Sequence, residues 1–157
     1  MLSFKRILVP LDGSSLAERA VPAARALAQK FDGQIILLRV LDIPTPTGPK
    51  SQPEVTIGWV REARQQAHEE ARAYLEAIEK RLCDEGFDTR ILLRDRSPAA
   101  DILDVAGEEG VDLIVISSHG AGGRAPWAFG SVAEKVTRHS PCPVLLVRQD
   151  GTAAAEK

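Results

Sequence analysis

The sequence predicts a single α/β domain, a doubly wound five-stranded parallel sheet with helices on both faces. Three observations carry this. Five short apolar runs, at 6–11, 34–40, 89–94, 111–117 and 143–148, are suited to strands covered on both sides. Between consecutive runs the apolar residues recur at three- and four-residue helical spacing. The resulting β-α-β-α-β-α-β-α-β order calls for a parallel sheet joined by helical crossovers.

The first run, "RILVPL" (Arg6–Leu11), is followed by "DGSSLAERAVPAARALAQKF". Ser15 with Glu18 three residues later has the form of a capping box, so a helix should begin there. Pro22 falls inside that helix and predicts a kink. Ala20, Val21, Ala24, Leu27 and Ala28 form its sheet-facing stripe.

"QIILLRV" (Gln34–Val40) is the second strand. Pro44, Pro46, Pro49 and Pro53 then predict an extended or mobile connection. A long amphipathic helix follows, from about Gly58 to Glu85, with the stripe Val60, Ala63, Ala67, Ala71, Tyr74, Ile78 and Leu82. Gly86 stands where a helix stop is wanted. "TRILLR" (Thr89–Arg94) is the third strand. Ser97 and Pro98 then read as the cap and first residue of a helix.

"VDLIVIS" (Val111–Ser117) is the most continuous run and is expected to be a central strand. "SVAEKVTRHS" (Ser131–Ser140) is a short helix with Arg138 and His139 at its C-terminal end, and "PVLLVR" (Pro143–Arg148) is the fifth strand. Right-handed crossovers leave two orders open, 3-2-1-4-5 and 2-1-3-4-5. In the first, Asp12 and the loop after the fourth strand flank one crevice.

The bulk properties narrow the function classes. A chain of 157 residues is one domain, with residues 1–149 as its body and 150–157 as a polar tail. A net charge of −2, with both signs interspersed, argues against nucleic acid as main partner. No run reaches the roughly 18 apolar residues of a membrane span. The opening residues enter a strand pattern without a signal-peptide cleavage site, so the expected location is the cytoplasm. Cys83 and Cys142 are far apart; both are expected reduced and at least one buried.

The stretch "SSHGAGGRAPWAFGS", residues 117–131, holds four of the chain's 12 glycines and runs into a helix N-terminus. Free N–H groups and the positive end of the helix dipole suit an anion there, and glycines let the backbone approach it. A plain glycine-rich connection is the competing reading. No G-K-[ST] follows, so it is not a Walker A loop. Asp12 can accept hydrogen bonds from ribose hydroxyls or cap the turn at Gly13 and Ser14. The backbone of Val40 can meet an adenine edge. A lone loop histidine such as His119 is more often a local hydrogen-bonding group than a catalyst. Trp127 and Phe129 are expected to anchor the loop, and Arg124 can reach a phosphate or stay solvated. There is no nucleophile elbow and no metal-ligand spacing.

"KRILVPLDGSSLAERAVPAARALA", "LLRVLD", "VDLIVISSHGAGG" and "FGSVAEKVTRHSPCPVLLVR" resemble the universal stress protein family over nearly the whole chain. The family's nucleotide-binding members carry G-x-x-G, nine residues, then G-[ST]. Here the pattern reads Ser117-Ser-His-Gly120, nine residues, Gly130-Ser131. Ser117 therefore replaces the first glycine, and Ala121 stands where an arginine often follows.

The resemblance implies the 3-2-1-4-5 order and ATP at the crevice, with AMP or ADP as alternative residents and Mg2+ as a candidate ion on the phosphates. It implies Asp12 at the ribose and the Val40 backbone at the adenine. Gly120, Gly130, Ser131 and Val132 would hold the phosphates. Leu11, Ser117 and His119 would line the site, and Gly123 and Arg124 would lie in its adaptable bridge. A homodimer through Pro143–Arg148 and a nucleotide-dependent role in the stress response without robust catalysis are likewise implied. A slow ATPase or self-phosphorylating protein using Ser131, and an interaction module with an empty loop, are the alternatives.

Overall fold

The structure, a computed structural model, describes residues 2–43, 53–119 and 129–148 of the chain. Along them run β1 (Arg6–Leu11), α1 (Ser15–Glu18), α2 (Ala20–Phe31), β2 (Gln34–Val40) and α3 (Pro53–Asp84). Then follow β3 (Thr89–Arg94), α4 (Pro98–Glu108), β4 (Leu113–Ser117), α5 (Ser131–His139) and β5 (Val144–Val147). All strand pairs are parallel, in the order β3-β2-β1-β4-β5, so of the two admissible windings the first is adopted.

The two-residue period of the strands divides the core into two layers. Ile7, Val9 and Leu11 of β1 and Ile35 and Leu37 of β2 pack against Ala20, Ala24 and Ala28 of α2 and Leu75, Ile78 and Leu82 of α3. Leu8, Ile36 and Leu38 point the other way, to Ile102 and Val105 of α4 and Ala133 and Val136 of α5. Each fully buried large aliphatic side chain contributes about 1.5–3 kcal/mol, more than any local propensity in these segments. β1 and β4 are neighbours, yet the helices that follow them leave to opposite faces. That divergence opens the switch-point crevice between their carboxyl ends.

Several local expectations are corrected. The helix after β1 begins at Ser15 but is capped by Ser14, whose Oγ accepts from Ala17 N at 3.1 Å. Pro22 does not kink a continuous helix. The helix breaks at Arg19, which moves Pro22 into the first turn of α2. There its missing N–H is not needed, and a cost of about 3 kcal/mol is avoided.

α3 starts at Pro53, five residues before the predicted start, with the proline in the first turn where it fits. Pro44, Pro46 and Pro49 lie outside the described residues. Ala63 is exposed and Leu75 is fully buried, so the working stripe is Ala71, Leu75, Ile78 and Leu82. The helix therefore meets the sheet mainly through its C-terminal half. Gly86 ends it with φ of 95°, while Phe87 N donates to Leu82 O at 3.0 Å.

β4 begins at Leu113 because Asp112 has another task. Its Oδ2 accepts from the backbone of Lys5 and of Arg6, at 2.9 Å each. Ser97 precedes α4 as expected, but its hydroxyl makes no cap bond. The buried Asp101 instead accepts from Arg96 N at 3.0 Å and Arg96 Nε at 2.8 Å. Both cysteines are free, and neither is buried: Cys83 is exposed and Cys142 half-buried. The predicted tail lies outside the described residues.

Candidate functional site

A cavity of about 650 Å³ opens at the carboxyl ends of β1, β2 and β4. Leu11 and Asp12 form one wall, Val40 to Ile43 a second, and Ser117 to His119 with Gly130 to Ala133 a third. Ala67 of α3 and Pro98 and Ile102 of α4 complete it. Of the sequence-predicted set, Leu11, Asp12, Val40, Ser117, His119, Gly130, Ser131 and Val132 meet here. Gly120, Gly123 and Arg124 lie outside the described residues.

Asp12 leaves β1 into a tight turn, and its Oδ1 accepts from Ser14 N at 2.8 Å. The turn-capping role is therefore real, and it orients an exposed carboxylate at the cavity wall. Gly13 has φ of 86°, and a Cβ there would run into the Arg39 guanidinium. Glycine thus meets two demands at one position, a left-handed backbone and a close neighbour.

The hydrogen-bond alternation of β2 orients Val40. Gln34 N donates to Lys5 O on the β1 side, whereas Ile35 N and Leu41 N donate to Asp88 O and Arg94 O on the β3 side, each at 2.8 Å. Even-numbered residues of β2 thus face β1, whose pairing ends with Leu11 opposite Arg39. The carbonyl of Val40 is directed past the end of β1, over the cavity it lines.

At the exit of β4, three polar residues are buried in succession: Ser117, Ser118 and His119 are 7%, 3% and 6% exposed. Ser117 Oγ donates to His119 O at 2.8 Å, and Ser118 Oγ lies 3.0 Å from His119 Nδ1. Ser118 is also pinned by its backbone. Its N–H donates to Val147 O at 2.9 Å, and its carbonyl accepts from Gly130 N at 2.8 Å. This last bond closes the glycine stretch and brings the amino end of α5 beside residue 118.

Gly130 is the N-cap of α5 and offers no side chain to satisfy the first turn. The N–H groups of Ser131, Val132 and Ala133 have no intrahelical acceptor, and the helix dipole makes that end positive. With the exposed Ser131 hydroxyl beside them, these groups can hold an anion. Phe129 is 55% exposed, so it does not anchor the loop as expected; Trp127 lies outside the described residues. Among the described residues no group of three or more His, Cys, Asp or Glu is placed to hold a metal. No described helix is long and apolar enough to cross a membrane.

Sequence reasoning passed over Arg39 and Ser118. Arg39 was signalled as the one cation in the apolar run of β2. Its guanidinium carbon lies 5.7 Å from the centroid of the Tyr74 ring, within cation–π range. Burial raises the Tyr74 hydroxyl well above its usual range, and the Glu18 carboxylate adds to this, while Arg39 opposes it. Ser118 carried no signal of its own, because its role depends on β5 and Gly130 arriving on either side.

The comparisons with known proteins agree with one another. A family model described as "Universal stress protein family" matches residues 3–148. Universal stress protein YxiE of Bacillus subtilis is 33% identical over 92% of this chain and 99% of its own. The solved structure of protein MJ0577, a universal stress protein of Methanocaldococcus jannaschii, superposes with a TM-score of 0.81 at 32% identity, covering 95% of this chain and 99% of that one. A universal stress protein solved in complex with cAMP superposes with a TM-score of 0.67 at 22% identity, covering 92% and 97%, a likeness of fold alone.

Proposed function

This chain belongs to the universal stress protein family, and we propose that it is an ATP-binding, dimeric regulator of the stress response without robust catalysis. One observation carries the reading. A carboxylate (Asp12), an outward strand carbonyl (Val40) and an uncapped helix N-terminus (α5) line a single cavity of about 650 Å³. These are the complements of a ribose, an adenine edge and a phosphate chain. The volume lies within the usual range of about 300–1,000 Å³ for cofactor sites.

In this reading Asp12 accepts from the ribose hydroxyls and the Val40 backbone meets the base. The first-turn N–H groups of α5, with the Ser131 hydroxyl, receive the phosphates. Gly120, Gly123 and Arg124 complete the phosphate side. Mg2+, when present, is carried by the phosphates rather than by a protein cage, since the described residues offer no such cage. The protein seen with cAMP resembles this one in fold only, so the nucleotide reading rests on these residues. The open edge of β5 supports a second copy pairing there, and the cytoplasm remains the proposed location.

Mass spectrometry of the nucleotide released on denaturing the purified protein tests the reading and counts its phosphates. ATP at 100 times its Kd stabilises a single-site protein by about 2.7 kcal/mol. For a domain of this size that raises Tm by about 5–10 °C. No co-purified nucleotide together with no shift at millimolar ATP defeats the proposal. ATP-dependent phosphate release that is lost in Gly130→Val would instead favour a slow ATPase.

A further inference from the structure

We propose that Arg39 is a positioning residue for the ribose of the bound nucleotide: held over Tyr74, its guanidinium fixes the turn at Gly13 and so aims the Asp12 carboxylate. The inference rests on the nucleotide reading above, in which Asp12 accepts from the ribose hydroxyls.

The two-residue period of β2 puts Arg39 on the face of Ile35 and Leu37, which pack against α2 and α3. Packing alone would place another aliphatic side chain there. Arg39 instead brings a cation to the last rung of the ladder between β1 and β2, opposite Leu11, where the chain departs for Asp12.

Two neighbours hold its guanidinium. One is the ring of Tyr74 on α3, whose centroid lies 5.7 Å from Cζ. The other is Gly13, so close that a Cβ there would stand 2.3 Å from Nη1. Arg39 Nε is buried and has no hydrogen-bond partner among the described residues, so the ring and the turn, rather than an Nε hydrogen bond, keep the side chain in place. A brace for α3 would need only the ring, whereas Arg39 reaches on to the turn.

Gly13 is the middle residue of the turn that Asp12 closes, with Oδ1 accepting from Ser14 N at 2.8 Å. What fixes Gly13 therefore fixes the direction of that carboxylate. The same cluster is joined electrostatically. Burial is the main cause that raises the Tyr74 hydroxyl; Glu18 and Asp12 raise it further, and Arg39 opposes them. One hydroxyl thus senses both the guanidinium and the Asp12 carboxylate.

Calorimetric titration of the full chain with ATP and with dideoxy-ATP, which lacks both ribose hydroxyls, tests this role. Arg39→Met keeps an apolar stem over the ring and removes the guanidinium. It should bind ATP about fivefold or more weakly, while dideoxy-ATP stays within about twofold of wild type. In an Asp12→Asn background the same substitution should change ATP affinity by less than about twofold, because the carboxylate it positions is already gone. Arg39→Lys retains a cation over the ring and should bind ATP within about threefold of wild type. Tyr74→Leu removes the ring beneath an intact Arg39 and should show the same selective loss as Arg39→Met, by an independent route.

Unchanged ATP affinity in Arg39→Met, while the wild type prefers ATP to dideoxy-ATP, overturns this inference and leaves the nucleotide reading standing. Equal losses with both nucleotides assign Arg39 to the stability of the fold and overturn it too. So does a full further loss on top of Asp12→Asn, which makes Arg39 an independent contact. A wild type that binds both nucleotides equally removes the ribose role of Asp12 and this inference with it. One that binds neither overturns the nucleotide reading as well.

Discussion

The hydroxyl of Ser117 donates a 2.8 Å hydrogen bond to the backbone carbonyl oxygen of His119, two residues on. Serine can therefore stand at a position where the family pattern has glycine. Its side chain folds back on its own chain and braces the exit of β4. Ser117→Ala should cost about 1 kcal/mol, the net worth of one hydrogen bond, read as a lower urea midpoint with an unchanged m-value. Adenosine affinity should stay within about twofold, since the hydroxyl is already engaged. A larger loss of adenosine would show that the hydroxyl also meets the ribose.

Gly13 and Arg39 make a second such pair. Gly13→Ala places a Cβ against the guanidinium at φ of 86°. The guanidinium is the flexible end of its side chain and can move, so the backbone strain dominates. A destabilisation of about 1–2 kcal/mol is expected in chemical denaturation, with the far-UV spectrum preserved.

Asp12 separates turn from ligand. Asparagine retains the oxygen that accepts from Ser14 N, so Asp12→Asn should leave stability within about 0.5 kcal/mol of wild type. It removes the negative charge that the proposed site offers to a ribose. ATP affinity should fall about tenfold or more, the worth of a charge-assisted bond, measured by calorimetry. Unchanged affinity would mean that the carboxylate serves the turn alone.

Asp95 gives a pH dependence with a definite sign. The hydrogen bond from Arg64 holds its carboxyl below the usual 3.8; desolvation opposes this, and His68, with Nε2 at 3.1 Å, adds to it. A depressed carboxyl stabilises the fold above its unfolded value, and that contribution is lost as pH falls through the lower folded value. The pair is partly exposed, so Asp95→Asn should cost only about 0.5 kcal/mol at pH 7. The difference should fade as pH drops below the usual 3.8 and through the lower folded value, and shrink in about 1 M salt. A difference that persists at acid pH would assign the loss to packing.

Leu145 tests the edge. Ser118 N and Ile114 N donate to the carbonyls of Val147 and Pro143, so odd-numbered residues of β5 face β4 and even-numbered ones face outward. Among the described residues no strand pairs with the outward backbone of Val144 and Leu146, and the 38%-exposed side chain of Leu145 lies beside it. Leu145→Lys should convert a dimer to monomer in light scattering without lowering the monomer's helix and strand content. A dimer that survives intact would place the interface elsewhere.

The elements, and the cavity walls at Asp12 and at Gly130, were legible in the residues because they rest on local physics. Period-two and period-3.6 spacing identified all five strands and the helical segments between them, though not the division of the first into α1 and α2, and the switch from one period to the other located Asp12 and Gly130. The misplaced details were decided by neighbours distant in the chain. Pro22 is the local exception: the break at Arg19 places it in the first turn of α2, where it bends no helix. Ala63 lost its place in the core because only the later part of α3 reaches the sheet, where Leu75 took over. Asp112 shortened β4 by clasping Lys5 and Arg6 across more than a hundred residues.

Periodicity, capping and helix-end chemistry act over a few residues, so the fold class, the order of elements and the residues proposed to meet a nucleotide could be read from the chain alone. Only the tertiary structure decided which winding was adopted. It alone gave Ser117 its acceptor and left His119 Nε2 buried without a partner among the described residues. Those outcomes depend on which backbone groups are already paired and on which surfaces are closed to water, and neither exists until β1, β4 and β5 lie side by side.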